Sequence, residues 1–233
     1  MASKIDWTDE VWNPVTGCTP ISTGCARCYA KGYAARLHGA GISKYANGFN
    51  VTCHPGLLNM PSKWKVPKRV FVNSMSDLFH AQVPDQYILD VFAAIGRYPH
   101  LTFQVLTKRA QRLISINNKL TWHPNIWMGV TVEEDAYADR VELLKQTGAQ
   151  VKFVSVEPLI APVPSLDVRG LDWVIVGGEK AVGARPMLAE WVMPIKEAAR
   201  VSGIPFFFKQ WGSKNTPFHS NMFDGDVWHQ FPG

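Results

Sequence analysis

The sequence predicts an α/β protein of repeated βα units whose parallel strands form either a barrel or an open sheet. From residue 69 onward, short apolar runs rich in β-branched and aromatic residues alternate with longer helical stretches, which is the pattern of repeated βα units. Hydrophobic residues make up 46% of the 233 residues and charged residues only 18%, as in a compact enzyme-like domain. Because no linker or low-complexity stretch interrupts residues 1–233, we expect one domain.

Six apolar segments are predicted to form the parallel strands. An initial strand within residues 5–15 would bring the number to seven. Parallel strands joined by helices all end at the same edge of the sheet, so their carboxyl ends should form a single face. The six segments are residues 69–79, 101–109, 126–132, 151–159, 173–179 and 204–211.

Five helical segments precede or separate these strands. Three of them begin with acidic residues or end before a glycine, which matches the chemistry of helix termini. We expect residues 40–68 to be a long connection and residues 213–233 to be an irregular tail. The predicted helices are residues 28–38, 84–97, 110–116, 133–147 and 188–202.

Three cysteines, Cys18, Cys25 and Cys28, lie in a predicted loop over residues 16–30, whereas Cys53 lies well apart. The amino terminus does not resemble the apolar core of a signal peptide, and no apolar run approaches membrane-spanning length. We therefore expect a cytoplasmic protein with no membrane partner. Thiols stay reduced in the cytoplasm, so clustered cysteines there indicate metal binding or catalysis rather than disulfide bonds.

The cysteine cluster fits two kinds of metal site. A structural zinc site would need a fourth ligand, for which His54 and His80 are the candidates among the seven histidines. A four-iron cluster held by three thiolates instead keeps one iron free to bind a cofactor or a substrate. The C-x6-C-x2-C spacing is compatible with both.

Polar side chains follow each of the predicted strands. Exposed strand ends carry polar residues in any fold. Here all six predicted strands end in polar residues, and several of these are charged and directly follow an apolar run, which favours a functional site. These side chains and the cysteine loop should then converge on the face where ligands bind in parallel barrels and sheets. The candidates are Ser74, Ser76, Asp77, Lys108, Arg109, Thr131, Glu133, Ser155, Glu157, Gly177, Gly178, Glu179 and Lys209.

Two kinds of role fit these residues. Glu157 suits general acid or base catalysis if burial raises its pKa, and it is a candidate catalytic residue together with three cations at strand ends. Gly177 and Gly178 would let a ligand approach the backbone, while Glu179 would accept hydrogen bonds from an amine or from ribose hydroxyls. In the same way, Ser74, Ser76 and Asp77, near the end of the predicted strand at residues 69–79, would accept hydrogen bonds from an ammonium group. The three cations are Lys108, Arg109 and Lys209.

Other function classes are disfavoured by the motifs that the sequence lacks. It contains no G-x-S-x-G elbow, Walker A loop, H-E-x-x-H motif or G-x-G-x-x-G after its first strand. The net charge of +5 and the pI near 9.0 are compatible with a polyanionic partner such as nucleic acid. Nine tryptophans, including Trp64 and Trp211 beside polar residues, offer rings that either stack on bases or pack at the rim of the core.

A set of short motifs runs through nearly the whole chain. They are W-N-P at 12–14, T-G-C at 16–18, G-C-A-R-C-Y-A at 24–30, N-S-M-S-D-L-F at 73–79, L-T-K-R at 106–109, S-V-E-P-L at 155–159, V-G-G-E at 176–179 and K-Q-W-G at 209–212. Together they resemble a family common in bacteriophages, long known as a domain of unknown function. That family is similar in turn to the radical S-adenosylmethionine superfamily, with spore photoproduct lyase as a distant relative.

The resemblance implies that the βα units form an incomplete parallel βα barrel, a partial TIM-like barrel of about six to seven strands. It also implies a [4Fe-4S] cluster on Cys18, Cys25 and Cys28, whose free iron binds S-adenosylmethionine. Reductive cleavage of that cofactor would give a 5′-deoxyadenosyl radical, which abstracts a hydrogen atom from the substrate. By position, residues 74–77 match the site of the methionine amine, and the ends of the next strands match ribose and carboxylate contacts. The cofactor-binding candidates are Tyr29, Ser74, Ser76, Asp77, Thr131, Glu133, Ser155, Gly177, Gly178 and Glu179.

The resemblance also implies partners and a substrate class. The reductant would be of the flavodoxin or ferredoxin type, and phage members of the wider group point to a hypermodified thymidine base in DNA as the group that is modified or isomerised. A phage-encoded protein would act in the host cytoplasm. The chain departs from the common superfamily pattern, in which the spacing is C-x3-C-x2-C, an aromatic residue precedes the last cysteine, and Gly-Gly-Glu stands where this chain has Asn-Ser-Met-Ser-Asp.

Two alternatives to a radical enzyme also fit the cysteines. One is a zinc-stabilised nucleic-acid-binding protein without catalysis, and the other is a catalytically silent barrel within a phage or defence complex. A face of polar strand ends has no purpose in a simple zinc module, so the sequence favours the radical enzyme.

Overall fold

Seven parallel strands form the central sheet of the computed structural model, which describes residues 5–180, 183–212 and 221–233. The strands of these residues are β1 (Glu10–Trp12), β2 (Val15–Thr16), β3 (Thr52–Cys53), β4 (Lys68–Val72), β5 (Leu101–Thr107), β6 (Ile126–Thr131), β7 (Val151–Val156), β8 (Trp173–Gly177), β9 (Phe206–Gln210), β10 (Met222–Phe223) and β11 (Asp226–Val227). The sheet has the order β1-β4-β5-β6-β7-β8-β9 and curls into half a barrel. The predicted incomplete parallel βα barrel is confirmed.

The observed strands stop where the polar residues begin. β4 ends at Val72, and Asn73 then adopts a left-handed φ of 63° that breaks the strand. β5 ends at Thr107 and β7 at Val156, so the predicted segments extended a few residues too far. The polar side chains therefore lie in the turns just beyond the sheet, at the mouth of the half-barrel.

Four of the five predicted helices agree with the structure to within one residue at each end. The helix predicted over residues 133–147 is wrong at its start, because α4 begins only at Asp139. Glu133 is buried at the barrel mouth, and Glu134 after it is extended, with φ −157° and ψ 170°. The helices are α1 (Tyr29–Gly39), α2 (Asp85–Gly96), α3 (Ala110–Ile116), α4 (Asp139–Lys145) and α5 (Ala189–Val201).

The long connection and the chain end both pack on the barrel. β2 and β3 pair in antiparallel fashion, with Val15 opposite Cys53, so the connection is tied to the start of the cysteine loop. Of the predicted irregular tail, residues 213–220 lie outside the described residues, but β10 and β11 form a short hairpin. The carbonyl of Trp228 then accepts a hydrogen bond from the backbone N–H of Phe208 at 2.7 Å, which attaches the chain end to β9.

Alternate side chains of the strands face two separate cores. In β8, Val174 and Val176 belong to the large core cluster that also contains residues of the helices, whereas Trp173 and Ile175 belong to a separate cluster on the inside of the half-barrel. The inner core is largely aromatic, so the polar mouth lies above a packed floor. Its members are Trp7, Phe71, Phe153, Trp173, Ile175 and Phe207. Among the described residues, no helix is long and apolar enough to cross a membrane.

Candidate active site at the mouth of the half-barrel

The three cysteines lie in the loop between β2 and α1, and all are free, partly buried thiols. Gly17 fixes the start of this loop. It has φ 84°, and a Cβ there would lie 2.2 Å from the carbonyl oxygen of Asn50, so only glycine fits. Gly17 also pairs with Ser76, beyond the end of β4, which attaches the cysteine loop to the carboxyl edge of the sheet.

Arg109, just after β5, reaches the first cysteine. Its Nη1 donates to Cys18 Sγ at 3.6 Å and to Asp77 Oδ2 at 3.1 Å, and its Nη2 donates to the carbonyl of Thr19 at 3.0 Å. Asp77 is buried and also accepts from Thr107 Oγ1 at 2.7 Å. Burial raises the pKa of Cys18, against the opposing charge of Arg109. Asp77 therefore orients a cation onto the sulfur.

Lys108 places a second cation next to the second cysteine. Its Nζ forms an ion pair with Glu133 Oε1 and lies 3.4 Å from Ser22 Oγ, which is itself 3.4 Å from Cys25 Sγ. Burial disfavours the Cys25 thiolate, but the charge of Lys108 and the hydrogen bond of Ser22 more than offset it, so the pKa of Cys25 lies below its usual value. Thiolates are the ligands that metals bind, so this environment favours the ligating form.

Glu133 joins the cysteine loop to the sheet. Its side chain is fully buried, it accepts from Ser22 Oγ at 2.5 Å, and Arg140 Nη1 donates to its second oxygen at 2.8 Å. A Cβ on Gly24 would lie 2.6 Å from Glu133 Cγ, so the loop approaches closely only because residue 24 is glycine. The cysteine loop is thus docked on this carboxylate.

Glu179, after β8, holds the other end of the loop. It is buried and bonded to Arg185, whose Nε lies 3.2 Å from Oε2, and to Arg27 Nη1 at 3.3 Å. Arg185 Nη1 also donates to the carbonyl of Thr23 at 3.1 Å. Burial would raise the pKa of Glu179, but Arg185 and Arg27 hold it below its usual value. This carboxylate therefore binds arginines of the protein.

The two glycines before Glu179 serve close packing. A Cβ on Gly178 would lie 2.0 Å from the carbonyl oxygen of Trp211, and one on Gly177 would lie 3.0 Å from Gln210 Nε2 and 3.3 Å from Glu157 Cδ. The end of β8 can therefore lie directly against the end of β9. Of the roles that fit these glycines, the geometry supports close backbone approach within the protein.

Glu157 and Lys209 form a separate pair on the β7 and β9 side of the mouth. Lys209 Nζ lies 2.7 and 2.9 Å from the two carboxylate oxygens, and Gln210 Nε2 donates to Oε1 at 3.0 Å. The exposed fractions are 20% for Glu157 and 13% for Lys209, so the pair is screened from bulk water but reachable from the mouth. This is the best-placed charged pair for a ligand.

The remaining predicted residues are near the same face. Tyr29, at the start of α1, donates from its hydroxyl to the carbonyl of Ser74 at 2.6 Å, while Ser76 Oγ donates to the carbonyl of Val15 at 2.8 Å. Thr131 and Ser155 are buried at the ends of β6 and β7 and lie opposite each other in the sheet. The structure thus brings the predicted strand-end residues to one edge together with the cysteine loop.

The two histidines considered as zinc ligands are bonded to hydroxyl groups. His80 Nε2 lies 2.8 Å from Thr19 Oγ1, and its Nδ1 accepts from the backbone N–H of Gln82 at 3.1 Å. His54 Nε2 lies 2.8 Å from Thr16 Oγ1. The two rings therefore support the cysteine loop through Thr19, next to Cys18, and through Thr16, two residues before Cys18.

The chemistry of the thiols fits an anionic iron–sulfur cluster. Arg109 donates to Cys18 Sγ and Lys108 is linked to Cys25 Sγ through Ser22, and hydrogen bonds and charges near the sulfurs are among the factors that set the reduction potential of such clusters. Within residues 5–180, 183–212 and 221–233, no three or more histidine, cysteine, aspartate or glutamate side chains form a group that could hold a metal ion. In this structure Cys18 Sγ and Cys25 Sγ are within hydrogen-bond distance of Arg109 and Ser22, respectively.

Several residues of the site escaped the sequence analysis. Ser22, Arg27, Arg140 and Arg185 bond directly to Glu133 or Glu179. Arg27 stands between two cysteines, and that position alone could have identified it. No local motif marks Arg140 or Arg185, because their partners are fixed only by the fold.

A family model described as "Protein of unknown function (DUF5131)" matches residues 2–232 of the chain. The matched range includes the cysteine loop and all strands of the central sheet. No curated protein and no solved structure matches the chain.

Proposed function

The chain belongs to the DUF5131 family, and we propose that it is a radical S-adenosylmethionine enzyme with a [4Fe-4S] cluster on Cys18, Cys25 and Cys28. One observation carries the proposal: of two consecutive residues at the mouth of the half-barrel, Arg109 donates a hydrogen bond to Cys18 Sγ, and Lys108 is linked to Cys25 Sγ through the hydroxyl of Ser22. Cations near the sulfurs stabilise the thiolate ligands and the negative charge of a cluster.

When bound, the cluster and S-adenosylmethionine supply a reductive cleavage that yields a 5′-deoxyadenosyl radical, which takes a hydrogen atom from the substrate. The chain's own residues divide into two groups. Three carboxylates are already in ion pairs within the protein: those of Asp77, Glu133 and Glu179 with Arg109, Lys108 and Arg185, respectively. We therefore assign these three acids to holding the cysteine loop rather than to binding the cofactor.

We assign the Glu157–Lys209 pair to binding the cofactor or the substrate. Among the described residues, neither side chain is hydrogen-bonded to the cysteine loop. The ammonium group of a lysine has three N–H donors. Two of those on Lys209 donate to the carboxylate oxygens of Glu157, which leaves one for a carboxylate or phosphate of a ligand. The other residues assigned to the cofactor are Tyr29, Ser74, Ser76, Thr131 and Ser155, whereas Gly177 and Gly178 let the ends of β8 and β9 pack together.

The substrate that we propose is a hypermodified thymidine base in phage DNA, which the enzyme modifies or isomerises. The motif resemblance and the net charge of +5 support a polyanionic substrate. A flavodoxin-type or ferredoxin-type protein would be the reductant. Reduced thiols at the mouth suit a cytoplasm, which is that of the host if the chain is phage-encoded.

Anaerobic reconstitution tests the proposal. We expect brown protein with about four iron and four sulfide per chain, and 5′-deoxyadenosine after reduction by dithionite with S-adenosylmethionine present. Cys25→Ala should lose the cluster, whereas Cys53→Ala, which removes the one cysteine outside the loop, should keep it. Colourless protein after reconstitution would overturn the proposal. Stoichiometric zinc in the wild-type protein, lost in Cys25→Ala and kept in Cys53→Ala, would favour the zinc-stabilised alternative.

A further inference from the structure

Two arginines at the rim of the mouth, Arg27 and Arg185, share one carboxylate oxygen. Arg27 Nη1 lies 3.3 Å from Glu179 Oε2, and Arg185 Nε lies 3.2 Å from the same atom. The two guanidinium groups are therefore adjacent, although one belongs to the cysteine loop and the other to the segment before α5. We call Arg27 and Arg185 the arginine pair.

Arg185 alone already occupies the carboxylate of Glu179. Its Nη2 donates to Oε1 at 2.5 Å, its Nε donates to Oε2, and its backbone N–H also donates to Oε2 at 2.9 Å. A carboxylate oxygen has about two lone pairs, so Arg27 is a third donor to Oε2, and its contact is the longest of the three. The charge of Arg27 is thus more than Glu179 requires.

Arg27 also keeps most of its hydrogen-bond donors. A guanidinium has five N–H donors, and among the residues that the structure describes, the Arg27 guanidinium makes one hydrogen bond. Its side chain is 41% exposed, compared with 28% for Arg185 and 4% for Glu179. Glu134 is joined to this part of the rim through Thr23 Oγ1 at 2.5 Å, but in the described ranges it forms no ion pair with either arginine. The arginine pair therefore presents positive charge and N–H groups to solvent.

The chemistry of the arginine pair favours a phosphate as its ligand. The planar fork of a guanidinium matches the oxygens of a phosphate or a carboxylate, and two adjacent forks can bind both free oxygens of one phosphodiester. A small carboxylate would gain little burial from a side chain as exposed as Arg27, whereas a polyanion binds through many exposed contacts that each release counterions. The net charge of +5 also favours a polyanion.

The position of the arginine pair relates it to the Glu157–Lys209 pair. Glu179 follows β8, which lies between β7 and β9 in the sheet, while Glu157 follows β7 and Lys209 belongs to β9. The two pairs are therefore at neighbouring strand ends of the same mouth. An enzyme that modifies a base must take it out of the stack, and phosphate contacts beside the pocket position the extruded nucleotide.

We propose that the arginine pair binds a backbone phosphate of a DNA strand that crosses the rim of the half-barrel. The choice of DNA rests on the proposed function, whereas the choice of a phosphate rests on the arginines themselves. Such a contact holds the strand without reading its sequence. A base of that strand can then enter the mouth towards the Glu157–Lys209 pair.

Three variants of cluster-free protein test the site. R27Q removes the charge of Arg27 and leaves Arg185 on Glu179, so the loop should stay attached. R27K keeps the charge. R169Q removes an equal charge from an arginine that pairs with Asp167 and precedes β8, at the amino end of the strands. Urea denaturation checks that all three variants are folded.

The salt dependence of DNA binding is the measurement, made by fluorescence anisotropy with a labelled single-stranded oligothymidine. Each phosphate contact with a single strand contributes about 0.7 to the slope of log K against log salt concentration. We therefore expect R27Q to reduce this slope by about 0.7 and to weaken binding about fivefold at about 0.1 M salt. R27K and R169Q should keep the slope of the wild-type protein.

Other outcomes overturn the inference. These are no binding of the oligothymidine by the wild-type protein at low salt, an unchanged slope in R27Q, or equal losses in R27Q and R169Q, which would show an effect of overall charge. A reduced slope in R27K as well would mean that Arg27 acts by shaping the loop.

Thymidine 5′-monophosphate as a competitor distinguishes a DNA strand from a free nucleotide. If R27Q weakens this competition but leaves the affinity for oligothymidine intact, the site belongs to a free nucleotide and the inference fails. Failure of the wild-type protein to take up a cluster would remove the proposed function, but it would leave this test unaffected, because DNA binding is measured without the cluster.

Discussion

Arg109 donates a hydrogen bond to Cys18 Sγ at 3.6 Å from the same nitrogen that lies 3.1 Å from Asp77 Oδ2. The buried carboxylate thus holds the guanidinium against the sulfur. Asp77 is itself held by Thr107 Oγ1 at 2.7 Å and by the backbone N–H of Lys108 at 3.1 Å. Hydrogen bonds and charges at sulfur ligands help to set the reduction potential of a cluster, so this contact has a measurable consequence.

Replacing Arg109 with glutamine should lower the reduction potential of the cluster, because the reduced cluster carries one more negative charge and loses a neighbouring cation. We expect a shift on the order of 50 mV, given that about 59 mV corresponds to a tenfold change for a one-electron couple. Redox titration followed by EPR, at equal cluster content, measures it. R112Q removes an arginine that pairs with Asp85 and serves as the control. Equal potentials in R109Q and wild type would contradict this role.

Gly24→Ala should displace the cysteine loop. The new Cβ would lie 2.6 Å from Glu133 Cγ, and Glu133 cannot move aside because it is buried and bonded to Lys108 and Arg140. We expect iron and sulfide after reconstitution to fall below about half of the wild-type content, since overpacking of this kind costs about 1–3 kcal/mol.

Gly32→Ala is the matched control, because a Cβ there meets nothing within 4 Å. Gly32 lies inside α1, where alanine should stabilise the helix by about 0.5–1 kcal/mol and leave the iron content unchanged. Wild-type iron content in G24A would show that the loop does not need its contact with Glu133.

A double-mutant cycle on Glu157 and Lys209 should reveal strong coupling. K209M leaves the carboxylate with Gln210 as its remaining side-chain donor, so we expect the free energy of unfolding to fall by about 1.5–3 kcal/mol. E157Q/K209M should recover part of this loss, because no unpaired charge remains. Urea denaturation measures stability, and 5′-deoxyadenosine formation measures function. A double variant that regains stability and also full activity would rule out a role for the pair at the ligand.

The stability of the protein should depend on the ionisation of Glu179. Its pKa is held below the usual 4.5 because Arg185 and Arg27 outweigh the effect of burial. A group with a depressed pKa in the folded state contributes stability above its unfolded pKa and loses it as the pH falls through the folded value. E179Q should therefore be less stable than wild type near neutral pH, and this difference should shrink below about pH 4.5.

Urea denaturation at about pH 7 and about pH 3.5 checks the dependence on Glu179. D226N removes an exposed carboxylate of β11 and should show little difference at either pH. A deficit of E179Q that stays the same at both pH values would mean that the side chain contributes through packing and not through its charge.

Local patterns were sufficient for the strands of the central sheet and for four of the five helices. The helix predicted over residues 110–116 is α3 with the same bounds, because its apolar spacing agrees with its tertiary environment. The helix predicted over residues 133–147 starts six residues late, because Glu133 is used at the mouth by Lys108 and Arg140. A helical pattern that begins with acids carries no information about such distant partners.

The sequence by itself determined the repeated βα units, the single face of polar strand ends and the three-cysteine loop, since apolar alternation and residue spacing are local properties. Only the tertiary structure decided which charged side chain lies near which cysteine, and which carboxylates already form ion pairs within the protein. Glu133 binds residues 22, 108 and 140, and Glu179 binds residues 27 and 185. These contacts join segments far apart in the chain, and their geometry is fixed by packing of the whole sheet rather than by any motif.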